Sequence, residues 1–200
     1  MLVSVTERTR EIGIRNFKTT PLMIDGVVYV STPLALSAAL DAGTGEVLWV
    51  YDPQAYLAAP YPHASVLSYN TRGLAYWSDG DSDARILYGT NDGYLLAVDA
   101  VTGHPVRSFG DNGRVDLTEG IPRATRGTTD RLGYSWLGVA SAPIVAHGVV
   151  VTPTVISDLP ITKEAPPGWV KGIDVRTGDT KWTFRTVPQA DDFGSDSWQN

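Results

Sequence analysis

One turn sequence, Asp-x-x-Thr-Gly, occurs three times in this chain, each time between two apolar runs. The copies are Ala39-Leu-Asp41-Ala-Gly-Thr44-Gly45-Glu-Val-Leu-Trp49, Ala97-Val-Asp99-Ala-Val-Thr102-Gly103-His-Pro-Val-Arg107 and Gly172-Ile-Asp174-Val-Arg-Thr177-Gly178-Asp-Thr-Lys-Trp182. An Asp side chain accepts backbone N–H bonds two residues on, Thr adds a weaker bond, and Gly takes the positive φ that reverses the chain. Each copy therefore predicts a strand, a tight turn and a returning strand. Trp49 and Trp182 sit four residues after the turn Gly, and Arg107 replaces them in the second copy. A ring at that place is expected to pack between stacked sheets, where its area is worth about 2–3 kcal/mol.

Hairpin signals lie upstream of the turns. Pro21-Leu-Met-Ile-Asp25-Gly26-Val-Val-Tyr-Val-Ser31 turns at Asp-Gly, and Pro143-Ile-Val-Ala-His147-Gly148-Val-Val-Val-Thr152 repeats it with His-Gly. In the middle unit the corresponding turn is read at Asn91-Asp92-Gly93. Four strands per unit make a propeller blade. The fold class expected is all-β: a partial β-propeller of about three four-stranded blades.

Asp99 lies 58 residues after Asp41, and Asp174 lies 75 after Asp99. Those intervals exceed a blade of about 40–50 residues. The surplus is assigned to two long loops, 53–84 and 110–138, of the kind that line sites. Propellers close with about four to eight blades. Three blades leave an open blade face and unpaired strand edges, so either the chain is a fragment of a larger propeller or it assembles with another copy through its open blade edges.

Composition agrees with short strands and excludes several functions. There are 20 Gly and 13 Pro, with six Trp and nine Tyr against two Met, which argues against a helical bundle. A net charge of −6 argues against a nucleic-acid partner. No cysteine is present, so disulfides, thiolate metal sites and thiol nucleophiles are excluded. No apolar run is long enough to span a bilayer. The start, Met1-Leu-Val-Ser-Val-Thr-Glu-Arg-Thr-Arg-Glu-Ile-Gly-Ile-Arg15, is too charged for the apolar part of an export signal. Read as written, the chain is expected to stay in the cytoplasm.

The turn repeat, the Thr20-Pro21-Leu hairpin, Thr71-Arg72-Gly-Leu-Ala-Tyr-Trp77, Phe109-Gly-Asp-Asn-Gly-Arg-Val-Asp-Leu117 and Lys163-Glu-Ala-Pro-Pro-Gly168 together resemble the pyrroloquinoline quinone (PQQ)-dependent dehydrogenases. The likeness runs in order over about residues 16–200 and is greatest to the membrane-type quinoprotein glucose dehydrogenases. It implies part of an eight-bladed propeller that holds PQQ and a calcium or magnesium ion near its axis. It also implies oxidation of a sugar or alcohol in the periplasm or at the membrane, with a quinone or cytochrome as electron acceptor. Residues 1–15 are read as a separate segment: Ser4-Val-Thr-Glu-Arg-Thr-Arg-Glu-Ile-Gly-Ile-Arg15 resembles a cytoplasmic stretch of ABC-transporter permeases, so a junction is expected at Arg15-Asn16.

The resemblance also implies site residues. PQQ carries three carboxylates and an ortho-quinone, so its site needs cations, hydrogen-bond donors and a Lewis acid. Arg72 stands at the family's Arg-Gly-x-x-Tyr-Trp position, where its fork suits a carboxylate. Ser141, in Ala140-Ser-Ala-Pro143, matches a hydroxyl-bearing position beside the cofactor, and Lys18 stands where the family places Glu or Gln. Asp158 aligns with the metal-binding carboxylate, although Leu159 follows it where glucose dehydrogenases tend to have Asn. No residue here corresponds to the family's catalytic Asp, so no catalytic residue is assigned and the chain alone is expected to be inactive. The substrate is left open: adjacent cysteines of the alcohol branch are absent, yet Ser68 stands in place of the glucose branch's histidine.

Other signals have simpler readings. Asp79-Gly-Asp81-Ser-Asp83 imitates a calcium loop but has Ala84 where Gly is needed and Thr90 where Glu is needed, so a solvated acidic loop is expected. Gly43-Thr-Gly45 lacks the third Gly of a dinucleotide loop, and His63, His104 and His147 fall in different units. The alternative function is a non-enzymatic scaffold of the same repeats that binds protein partners.

Overall fold

A computed structural model describes residues 18–57, 72–124, 137–156 and 166–198. The first blade is β1 (Leu22–Ile24), β2 (Val27–Ser31), β3 (Ser37–Asp41) and β4 (Val47–Tyr51). The second is β5 (Ala75–Ser78), β6 (Ala84–Gly89), β7 (Tyr94–Asp99) and β8 (Arg114–Asp116). A short strand, β9 (Leu137–Gly138), precedes the third blade, which is β10 (Ile144–Ala146), β11 (Val149–Pro153), β13 (Trp169–Asp174) and β14 (Thr180–Arg185). Between β11 and β13 the chain makes an excursion through β12 (Val155–Ile156), which pairs with β9. Each four-stranded sheet is an antiparallel meander in chain order, so the described residues form three blades of an unclosed propeller.

The repeated turns join the third and fourth strands of the outer blades as the sequence predicts. Asp41 Oδ1 accepts from the N–H groups of Gly43 and Thr44 at 3.0 and 2.8 Å and from the Thr44 hydroxyl at 2.9 Å. Asp99 repeats the pattern on Val101 and Thr102. Asp174 keeps the two backbone bonds, but the Thr177 hydroxyl turns to Asp179 instead. The Lys181 ammonium, 2.9 Å away, is the main influence that lowers the Asp174 carboxyl to about 2, and the backbone donors add to it. The hairpins at Asp25-Gly26 and His147-Gly148 have positive φ at both residues, as a tight two-residue turn requires.

The middle unit departs from the sequence reading. Asn91-Asp92-Gly93 joins β6 to β7, the second and third strands, and is not the counterpart of Asp25-Gly26. That counterpart is the acidic stretch between β5 and β6, where Asp79 accepts from the N–H groups of Asp81 and Asp83. Segment 53–84 is thus not one loop, because β5 lies within it, and β8 lies within 110–138.

A second repeat appears only in three dimensions. Thr32, Thr90 and Thr154 each follow the second strand of a blade, and each hydroxyl accepts the N–H of the residue that opens the return: Leu36, Tyr94 and Trp169. In each case the Thr N–H donates to that same residue's carbonyl. These clasps hold the loops at the end of the blades opposite the Asp-x-x-Thr-Gly turns.

The middle blade is buried on both faces. Ile86, Tyr88, Leu96 and Val98 pack with Tyr29 and Trp49 of the first blade, while Leu87, Leu95 and Ala97 pack with Val150, Ile173 and Val175 of the third. Each junction is also closed by a side-chain donor. Trp49 Nε1 donates to the Ala100 carbonyl at 3.0 Å, and the Tyr29 hydroxyl reaches the same oxygen at 3.2 Å. At the second junction no Trp follows the turn glycine, and Arg107, which stands there, is exposed; Trp77 of β5 packs in this junction instead, with the Arg176 guanidinium 4.9 Å from its ring. The donor here is Arg85 of β6: its Nη1 donates to the carbonyls of Val175 and Arg176, both at 2.8 Å, while Asp83 holds the guanidinium from behind. Trp182, expected in a core, is 42% exposed. No described blade lies beyond it.

Two outcomes follow. Arg85→Met should lower the unfolding free energy by about 3–5 kcal/mol, because Asp83 and two carbonyls lose their partner, whereas Arg107→Ala should change it by less than about 0.5 kcal/mol; urea unfolding measures both. Asp174 is held below its ordinary value when folded, so its stabilising contribution is full above the unfolded carboxylate value and is lost as pH falls from about 4 towards 2. Asp174→Asn should flatten the part of the urea midpoint's fall in that window that Asp174 supplies.

Candidate functional site

The three innermost strands enter their blades side by side. Thr20 N–H donates to the Arg72 carbonyl at 3.0 Å, and Arg72 N–H donates to the Ala140 carbonyl at 2.9 Å. Thr20 and Gly73 form a parallel bridge. Three segments 52 to 68 residues apart in sequence are thereby stitched into one ledge. Gly73 is required there: at φ +152° a Cβ would lie 3.2 Å from the Thr20 carbonyl oxygen and 3.3 Å from the Ala142 Cβ. The Arg-Gly pair of the sequence motif has two jobs, since Gly73 allows the close approach that sets the Arg72 backbone between its neighbours.

Arg72 and Ser141 each stand three residues before the innermost strand of their blade. The residue at that position in the first blade is Thr19, which the sequence reading passed over in favour of Lys18. The Thr19 hydroxyl donates to the Ser31 carbonyl at 2.7 Å and lies 3.0 Å from the Ser31 hydroxyl, which anchors the ledge to β2. Lys18 and Arg72 are exposed and Ser141 is half-buried. Asp158 lies outside the described residues, as do His63 and Ser68. Val155 and Ile156, the last residues described before Asp158, pair with Gly138 and Leu137, two to four residues before Ala140–Ser141.

The loops beside the ledge are tied to it. Val139 N–H donates to the Thr90 carbonyl at 3.0 Å, and Asn91 Nδ2 donates to the Pro33 carbonyl at 3.1 Å. Asn91 is buried, and its Oδ1 has no partner among the described residues. Among the described residues no group of three or more His, Asp or Glu side chains could hold a metal ion. An open depression lined by His104, Pro105, Arg107 and Asn112 contains none of the residues expected in the site. The ledge presents exposed cations and a hydroxyl on a backbone fixed at both sides, which is the donor set that a polycarboxylate needs.

Comparison with known proteins gives the family of the propeller. Residues 4–200 match the PQQ family described as the glucose/ethanol/alcohol dehydrogenase β-propeller domain. The chain is 34% identical over 169 residues to the dehydrogenase subunit of the quinone alcohol dehydrogenase of Gluconacetobacter polyoxogenes, covering 84% of this chain and 20% of that protein. It is 31% identical over 174 residues to the quinoprotein glucose dehydrogenase of Gluconobacter oxydans, covering 82% and 20%. The crystal structure of the quinohemoprotein alcohol dehydrogenase of Comamonas testosteroni superposes with a TM-score of 0.64 at 26% identity, covering 87% of this chain and 22% of that one. The chain belongs to the family of PQQ-type glucose, ethanol and alcohol dehydrogenase propeller domains.

It spans about a fifth of the length of these relatives. Alcohol and glucose dehydrogenases match it at similar identity, so the glucose branch is not singled out. The family match begins at residue 4 and runs through Arg15-Asn16, and nothing in the comparisons supports a permease segment there. Residues 1–17 lie outside the described residues.

The stitching makes a direct prediction. Gly73→Val should destabilise the chain by about 1–3 kcal/mol through backbone strain and the lost close approach. A shift of the urea midpoint beyond that of Gly80→Ala would show it, since Gly80 also has positive φ but has no atom within 4 Å of a Cβ.

Proposed function

We propose that this chain forms one wall of the cofactor site of a PQQ-dependent dehydrogenase acting on a sugar or an alcohol. The observation that carries the proposal is the ledge: backbone hydrogen bonds from Thr20 to Arg72 and from Arg72 to Ala140 bring Arg72 and Ser141 to one end of adjacent blades. The strand that leads to Asp158 pairs beside them. Arg72 would bind a cofactor carboxylate with its planar fork, and Lys18 would add a second positive charge. Ser141 would offer a hydroxyl to the remaining oxygens, and Asp158 would be one oxygen ligand of calcium or magnesium. When bound, PQQ supplies a two-electron acceptor for the substrate's hydroxyl-bearing carbon, and the ion supplies a Lewis acid.

The work of these residues is to bind and orient. No side chain of this chain is assigned the proton transfer from substrate, and a quinone or cytochrome would receive the electrons afterwards. A periplasmic or membrane-associated setting comes with this reading. Among the described residues no helix is long and apolar enough to cross a membrane.

PQQ titration in the presence of calcium or magnesium, followed by quenching of tryptophan fluorescence, tests the proposal. Saturable binding is expected, and Arg72→Ala should weaken it about tenfold or more, the equivalent of one charge-assisted hydrogen bond. Binding that is unchanged by Arg72→Ala, Ser141→Ala and Lys18→Ala together would contradict the proposed wall. No binding by this chain or by a longer chain of the same protein would favour the scaffold reading.

A further inference from the structure

Two unfavourable features of the fold meet in one contact at the ledge end of the blades. The first is the side chain of Asn91, 4% exposed in the corner between β6 and β7. Its Nδ2 donates to the Pro33 carbonyl at 3.1 Å, but its Oδ1 has no partner among the described residues. A buried acceptor left unmet works against stability, and an apolar group of the same shape avoids that loss. The second feature lies in the loop that Asn91 holds, residues 32–36 between β2 and β3. Ala35, fully buried there, has φ +62°, in the left-handed region that disfavours a Cβ. Such strain persists only where neighbouring contacts impose it.

The same corner reaches both flanks of the ledge. On the first-blade side, Pro33 stands two residues after Ser31, whose carbonyl takes the Thr19 hydroxyl at 2.7 Å, so the held loop runs directly into the anchor of the first ledge segment. On the third-blade side the corner acts through its backbone. The Thr90 carbonyl accepts from Val139 N–H at 3.0 Å, and a Cβ on Gly138 would meet the Asn91 carbonyl oxygen at 3.0 Å. Gly89 leaves the room that the Val139 side chain fills. The third flank is therefore held without the Asn91 side chain, whereas the first-blade loop is held by it. The hydroxyl bond from Ser37 to Tyr88, at 3.2 Å, joins the same two blades but acts on β3 and not on the loop.

We infer that Asn91 is a positioning residue for the proposed cofactor site: its carboxamide fixes the 32–36 loop and, through Ser31 and Thr19, the first-blade segment of the ledge where Lys18 stands. The assignment rests on the cofactor reading above. A residue that served stability alone would not combine an unmet buried oxygen with a strained loop, and sites of function are where such features gather.

Asn91→Leu removes the carboxamide at similar volume and tests this. Its urea midpoint should match that of Arg107→Ala, because losing the unmet oxygen offsets the bond lost at the Pro33 carbonyl. Without ligand, amide exchange should quicken about fivefold or more at Leu36 and Thr20, and stay as in the wild type at Val139, whose bond to Thr90 joins backbone groups. PQQ titration with calcium, in this chain or in a longer chain of the same protein, should show affinity weakened about threefold or more. Exchange at Leu36 and Thr20 equal to the wild type would overturn the assignment. A urea midpoint that falls together with the affinity would overturn it as well, since that describes a residue of general stability. Wild-type binding with an unaffected variant would overturn the assignment alone, whereas absence of PQQ binding by both wild-type chains would overturn the cofactor reading and this assignment with it.

Discussion

Everything in this structure depends on how one blade holds the next. A four-stranded antiparallel sheet of this size has two faces to bury, and neither can be buried within the sheet itself. The middle blade shows the solution, with Ile86 and Tyr88 turned to one neighbour and Leu87 to the other. Apolar area alone would let blades slide on one another. The donor-to-carbonyl clasps fix the position, because Trp49 and Arg85 each reach a single turn in the following blade. Trp and Arg are unlike in shape and charge, yet both deliver an N–H across the junction to the same backbone address.

That fixed stacking is what places chemistry at the other end of the blades. Once the junctions set the spacing, the entries to the innermost strands fall within hydrogen-bond distance of one another, and Thr20, Arg72 and Ala140 join by backbone alone. The site residues need not hold each other. The backbone of Arg72 is held on both sides, and Gly73 supplies the room that the stitching needs. The Asp-x-x-Thr-Gly turns and the ledge occupy opposite ends of the blades, so the turn repeat serves folding while the ledge differs in sequence from blade to blade.

Much of the fold was legible because turn chemistry is local. Asp41, Asp99 and Asp174 could be read as turn formers from five residues each, and the blade count followed. What depends on partners distant in sequence was harder to read. Arg107 occupies the Trp position in the second repeat, but the residue that replaces the Trp function is Arg85, on a different strand. Trp182 matches Trp49 in every local respect and differs only in having no described blade beyond it. The middle unit's Asn91-Asp92-Gly93 was placed one strand early because its neighbours, Ile86-Leu87-Tyr88 and Leu95-Leu96-Ala97, are buried on both faces and show no alternation. Thr19 carried no motif, and its equivalence to Arg72 and Ser141 emerges only from strand register. The Thr32, Thr90 and Thr154 clasps are spaced irregularly, so their repetition was invisible before the strands were aligned.

On the proposed function, the ledge end of the blades, and not the turn end, meets the cofactor. Amide hydrogen exchange with and without PQQ and calcium locates contact along the backbone. Added protection is predicted in segments 18–20, 72–73 and 137–142, and in the stretch that follows Ile156. Protection appearing instead at 41–45, 99–103 and 174–178 would contradict the assignment of the site.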